Sequence, residues 1–243
     1  MDLIEKIHTE NPFIRPRGWK MVELPRLHKS LKDEFGSTLI VGERGSEDGV
    51  LATVLENKKL IRPIHCIDIG DINTEEVGDK FKFGREKLKE EEIKFFNADL
   101  VEWESEFGKY NNIICVNVLE HFGFNQSGDL EINDYDVSGF EKMLTLCNKN
   151  LILTVPYDHF ATSDIIDVAE RKYPQSRISI LETLARQVGF YLKEEIKFVM
   201  FTPKEGFLFE GFLFEEISKS NIDRMRFEAH ECLIFLWFKK EGK

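Results

Sequence analysis

Residues 38–49 read TLIVGERGSEDG. The run 38–43 is short, apolar and β-branched up to its glycine, which is how a buried strand reads. From Glu43 to Gly49 the chain turns, with Gly45 and Gly49 placed where a backbone must bend sharply or approach a ligand closely. Asp48 to Asn57 then carries helical spacing. Strand, glycine turn and helix in succession open a βαβ unit.

Working outward, the same alternation recurs. Buried strand runs are read at 64–71 (IHCIDIGD), 93–99 (IKFFNAD), 112–118 (NIICVNV) and 150–157 (NLILTVPY), with helical stretches at Lys80 to Glu91 and Val137 to Asn148. Such alternation predicts right-handed crossovers and a parallel sheet covered by helices on both faces. After a helix over Ile178 to Val188, ended by Gly189, two further runs at 191–201 (YLKEEIKFVMF) and 232–238 (CLIFLWF) predict an antiparallel edge. The expected fold class is therefore α/β, a Rossmann-like, seven-stranded, mostly parallel sheet. Residues 38–243 form one such domain, with an aromatic-rich insertion near 202–230. Within it GFLFE occurs twice in tandem, at 206–210 and 211–215, and the segment 206–214 offers apolar surface for core packing or a homodimer contact. Residues 1–37, with FIRPRGW at 13–19 and a helix from Leu24 to Phe35, form an N-terminal arm or lid outside the sheet.

The bulk properties exclude several classes. A chain of 243 residues with 42% hydrophobic and 32% charged residues is an ordinary globular composition. Its formal charge of −11 disfavours a broad embrace of nucleic acid, which draws affinity from clustered Lys and Arg. No apolar run approaches the roughly 20 residues that span a bilayer, and the N-terminus carries no signal-peptide core, so a cytoplasmic protein without membrane partners is expected. The cysteines at 66, 115, 147 and 232 form no CxxC pair and read as reduced core residues.

Polar groups gather at the strand ends. In an open parallel sheet the ligand binds beyond the carboxyl ends of the strands. The glycine turn leaves the first of these. About 20 residues on, Asp68 closes CID, where a carboxylate accepts ribose hydroxyls. Asp99 closes FFNAD, as a helix N-cap or facing a nucleobase amine. The fourth run continues Asn117-Val118-Leu119-Glu120-His121-Phe122-Gly123, and the fifth ends Thr154-Val155-Pro156-Tyr157.

At this point the chain resembles the class I S-adenosylmethionine-dependent methyltransferases over roughly residues 36–201, through the acid and glycine turn, the strand-end acids, and the strings VLEHFG and LILTVP. EHFGFNQSGD also resembles a little-characterised branch associated with surface-polysaccharide genes. The resemblance implies S-adenosylmethionine as cofactor, with Glu43 near the methionine amino group and Gly45 and Gly49 against the cofactor. It implies Asp68 on the ribose, Asp99 and Leu100 at the adenine, and the Asn117 backbone at the methionine portion. Glu47 departs from the pattern, standing where the family has its middle glycine. The sulfonium already makes its methyl group electrophilic, so the protein mainly places a nucleophile. A hydroxyl acceptor benefits from a general base, for which Glu120, His121 and Tyr157 are the candidates. No metal site is expected, since neighbouring Glu120 and His121 diverge on regular elements. The expected activity is methyl transfer to a small-molecule or glycan acceptor, at oxygen. The alternative is a non-catalytic member of the fold acting as a binding module; a dinucleotide oxidoreductase lacks its compact GxGxxG turn here.

Overall fold

In the computed structural model the opening run is β1 (Thr38–Val41), and all four of its residues are buried. Successive strand side chains point to opposite faces, so burial of every residue means that both faces are covered. The structure describes residues 2–14, 16, 18–57, 63–70, 79–90, 93–125, 127–163, 165–167, 170–201, 213–219, 222, 225 and 229–241. Contacts divide the chain into two compact units, Met1–Val116 with Lys142–Ile152, and Asn117–Glu141 with Leu153–Lys243.

In the first unit β1 pairs in parallel with β2 (Ile64–Asp68) on one side and β4 (Tyr110–Val116) on the other, while β2 pairs in parallel with β3 (Ile93–Asn97). The order is β3-β2-β1-β4, followed by β5 (Cys147–Pro156), whose first six residues belong to this unit. Val41 lies opposite both Ile67 and Cys115, and Asp68 opposite Asn97, so the carboxyl ends finish level. Leu39, Ile40, Ile67, Ile113 and Ile114 fill the core, with Cys66 and Cys115 as free thiols among them. Among the described residues four helices belong here: α1 (Leu3–Glu10), α2 (Lys20–Leu31), α3 (Val50–Leu55) and α4 (Lys82–Leu88). Gly49, at φ 85°, caps α3 in a left-handed conformation that a glycine adopts without strain. No helix among the described residues is long and apolar enough to cross a membrane.

In the second unit the last strand of the chain, β10 (Ala229–Lys240), lies between the end of β5 and β8 (Phe190–Phe201). It runs antiparallel to β8, as does the short edge strand β9 (Leu213–Glu216). A two-stranded hairpin, β6 (Ile165–Asp167) with β7 (Glu170–Lys172), precedes α6 (Gln175–Gln187). Helix α5 (Tyr135–Leu146), like β5, contributes residues to both units.

The α/β class, the parallel strands and the antiparallel edge are as the alternation predicts, but among the described residues the large sheet has eight strands instead of seven. The added strand is β9, and with the three-residue strands of the hairpin it is too short to establish a period of two in the sequence. Most of the aromatic segment 206–214 lies outside the described residues, only 213 and 214 being among them.

Candidate functional site

The carboxyl rim of the first unit is organised by Glu43. Its side chain is 4% exposed and accepts hydrogen bonds from the backbone N–H groups of Gly45, Ser46 and Leu51, the last two at 3.0 Å. The carboxylate thus closes the turn on itself and satisfies an orphan donor at the start of α3. Burial pushes its pKa up, against the pull of the three N–H groups. Gly45, at φ 73°, packs backbone to backbone: a Cβ there would stand 2.0 Å from the Gly84 Cα, and the Gly84 N–H donates to the Gly45 carbonyl at 3.1 Å. A Cβ at Gly49 would meet Leu24, Ile14 and Pro16 at 3.1 to 3.4 Å. Both glycines therefore serve close packing within the protein, and Glu47 is half-buried in the same turn.

Asp68 is at the end of β2, where its Oδ1 accepts from the Gly70 N–H at 2.6 Å and lies 3.5 Å from the Arg44 Nε. Arg44 was not singled out by the sequence. Its guanidinium lies 4.8 Å from the centre of the Phe81 ring and leaves no room for a Cβ at Gly70. Beside Asp68, Ile69 is 73% exposed, an apolar side chain left in water at a strand end. The next strand places Asp99 two residues beyond β3, accepting from the Val101 N–H at 2.8 Å, with Leu100 buried behind it. The Ala98 N–H donates to the Asp68 carbonyl at 3.0 Å, which ties the two strand ends together.

In the second unit Asn117, the residue after β4, has φ 53°, a left-handed conformation uncommon for a side-chain-bearing residue. Its N–H is shared between the carbonyl and hydroxyl oxygens of Thr154, at 3.2 and 3.1 Å. Its Oδ1 is buried with no hydrogen-bond donor among the described residues. The 3₁₀ turn Leu119–His121 buries Glu120 and exposes His121, whose Nε2 is 3.9 Å from the Glu120 Oε1. Tyr157 is buried, and its hydroxyl donates to the Gln175 Oε1 at 3.2 Å. A buried polar cluster of this unit was invisible in the sequence. Asp136, fully buried, accepts from the Tyr173 hydroxyl at 2.9 Å and from Arg177 at 2.6 and 3.2 Å, with Arg171 Nε at 3.7 Å. Burial, with the charges of Asp136 and Glu120, holds the Tyr173 hydroxyl well above its usual range, so it stays a donor. Its members lie on α5, β7 and α6 and beside them, too far apart in the chain to form a motif.

No family model and no curated protein matches the sequence. Solved structures do match the fold. The 1,6-didemethyltoxoflavin-N1-methyltransferase of Burkholderia thailandensis, solved with S-adenosylhomocysteine, superposes with a TM-score of 0.53 at 11% identity over 92% of this chain and 79% of that one. The magnesium protoporphyrin IX methyltransferase of Synechocystis PCC 6803, with bound SAM, gives 0.51 at 12% over 99% and 85%. The [4+2]-cyclase SpnF gives 0.54 at 14% over 90% and 81%. The fold is that of the class I S-adenosylmethionine-dependent methyltransferases. At these identities the likeness is one of architecture, and the cyclase carries another chemistry on it.

Proposed function

We propose that this chain binds S-adenosylmethionine and transfers its methyl group to a small-molecule or glycan acceptor, at oxygen. The observation that carries the reading is the pair of acids at adjacent strand ends, Asp68 after β2 and Asp99 after β3, beside the glycine turn that follows β1. In this reading Asp68 takes the ribose hydroxyls and Asp99 the adenine amine, with Leu100 beside the ring and the exposed Ile69 as apolar surface near it. Gly45 and Gly49 act indirectly, by letting the turn close on Gly84 and on the N-terminal segment. Glu43 keeps the turn in shape and does not itself reach for the cofactor. Asn117 is the proposed backbone contact for the methionine portion, and its buried Oδ1 has no donor among the described residues. When bound, the cofactor supplies an electrophilic methyl group on a sulfonium. Glu120, His121 and Tyr157 are the proposed groups for holding or removing the acceptor's proton, and His121 is the exposed one of the three.

A second reading, a non-catalytic member of the fold acting as a binding or interaction module, is favoured by Arg44, which lies on the carboxylate that a ribose needs. Calorimetry with S-adenosylhomocysteine separates the two. Wild-type protein gives measurable heat, and Asp68→Ala weakens binding about 10- to 100-fold, the loss of one or two hydrogen bonds to a charged group. Silence of the wild type, or selective binding of a nicotinamide dinucleotide, overturns the assignment.

A further inference from the structure

His65 is a buried imidazole that plays no part at the strand ends. It stands on β2 with none of its surface exposed, and its Nδ1 is 2.7 Å from the hydroxyl of Tyr110, the first residue of β4. Its ring lies edge to face with Phe96 on β3, with Tyr110 and with Phe107, whose centroid is 4.3 Å away. The Nε2 is buried with no hydrogen-bond partner among the described residues. The cover over this ring is unlike the rest of the core. Phe107 is 40% exposed, and no residue from Val101 to Lys109 is buried. The rings that hold this segment to the sheet are Phe107, against His65 and Phe96, and Trp103, against Phe96.

A neutral imidazole suits this setting and a charged one does not. With two protons the ring carries an N–H at Nε2 as well, where no described residue accepts it. A buried N–H without an acceptor and a buried charge without a counter-charge are both costly. The charge that bears on the ring, Lys94 on β3, has the wrong sign, and its ammonium stands 4.9 Å from the centre of the Phe107 ring. From β4 the ring meets the Tyr110 phenol, β1 sets Leu39 opposite His65, and the segment's own Glu102, Glu104, Glu106 and Lys109 are exposed. Burial and Lys94 accordingly bring the pKa of His65 from 6.5 down to about 4.

We propose that residues 103–109 are a proton-released latch, closed over a neutral His65 and lifted from it when the imidazole takes up a proton from solvent, with the sheet beneath still folded. His65 itself is fixed by the pairing of β2 with β1 and β3, so the part that yields is the cover. A segment with no buried residue has the least to lose on opening, and lifting Phe107 gives the Nε2 proton access to water.

The test is cleavage by a glutamyl endopeptidase after Glu104 and Glu106, with the rate taken relative to a free peptide of residues 101–109 at the same pH. Such cleavage follows the population of the open form. Between about pH 7 and about pH 5 the relative rate on wild type rises about tenfold or more, as expected where the imidazole titrates near 6.5 when open and near 4 when closed. His65→Gln shows no such rise. Phe107→Ala, a change at an exposed position that serves if the glutamine variant does not fold, is cut at about pH 7 as fast as wild type at about pH 5. The inference is overturned if the wild-type rate is flat, if His65→Gln rises with it, or if Phe107→Ala stays as resistant as wild type at neutral pH. It is equally overturned if cleavage after Glu86 of α4 rises in step, since the whole unit is then unfolding.

Discussion

Glu43 in the first unit and Asp136 in the second are both buried carboxylates, and they are satisfied in opposite ways. Glu43 is closed by three backbone N–H groups, all within eight residues of it in the chain. Asp136 is closed by side chains, two guanidinium groups and a phenol, that arrive from 35 to 41 residues away. A carboxylate held by its own turn costs little chain entropy to organise and shapes that turn alone. One held by distant cations ties together segments that would otherwise be independent. Local closure prepares a rim; long-range closure fastens a fold.

The difference is broken most severely at Asp136. Asp136→Ala removes the carboxylate that fully buried Arg171 shares with Arg177, which keeps its ion pair with Asp134, and the expected cost is about 3–5 kcal/mol in urea unfolding. Binding of S-adenosylhomocysteine to the folded fraction should be retained, because the loss is one of stability. A cost below about 1 kcal/mol would mean that the cluster is solvated and fastens nothing.

At the glycine turn the corresponding break is Gly45→Ala. The new Cβ meets the Gly84 Cα at 2.0 Å, and the residue keeps a φ of 73°. Overpacking against backbone together with left-handed strain predicts a loss of about 2–4 kcal/mol. Unlike Asp136→Ala, it should also abolish S-adenosylhomocysteine binding in protein that remains folded, since the turn it distorts is the rim. Thermal melting and calorimetry on the same samples separate the two effects. A variant of unchanged stability and affinity would show that α4 is not held against the turn as described.

This contrast also explains what was legible in the sequence. β1, its glycine turn and the strand-end positions of Asp68 and Asp99 could be read because each depends on neighbours a few residues away and on a period of two. The roles of the glycines could not, because Gly45 meets Gly84 and Gly49 meets Leu24 only once the chain has folded. The resemblance puts Glu43 near the methionine amino group; that its carboxylate also accepts from three N–H groups of its own turn could not be read, because the turn's shape fixes those contacts. Arg44 on Asp68 escaped notice for a similar reason, the contact being made across a strand connection. The Asp136 cluster left no signal at all, since single charged residues on three separate elements look like solvated surface until their burial is known.

The smallest effects concern acidity, and their sign distinguishes kinds of burial within the first unit. Burial raises the pKa of Glu43 above 4.5, so its contribution to stability is complete below that value and is lost as the pH rises through its native pKa. His65, fully buried on β2 with its Nδ1 2.7 Å from the Tyr110 hydroxyl, behaves oppositely. Burial, aided by the charge of Lys94, lowers its pKa from 6.5 to about 4. Its contribution is complete above pH 6.5 and is lost as the pH falls toward 4, because the unfolded chain takes up the proton first. On acidification, wild type should therefore gain melting temperature relative to Glu43→Gln and lose it relative to His65→Gln, by on the order of a few degrees in each case. Difference curves of the same sign, or flat ones, would show that one of these groups is wetter than its surroundings indicate. Opposite slopes would show that a carboxylate closed by N–H groups and a ring closed by a phenol both carry the stress of their burial, but in different protonation states.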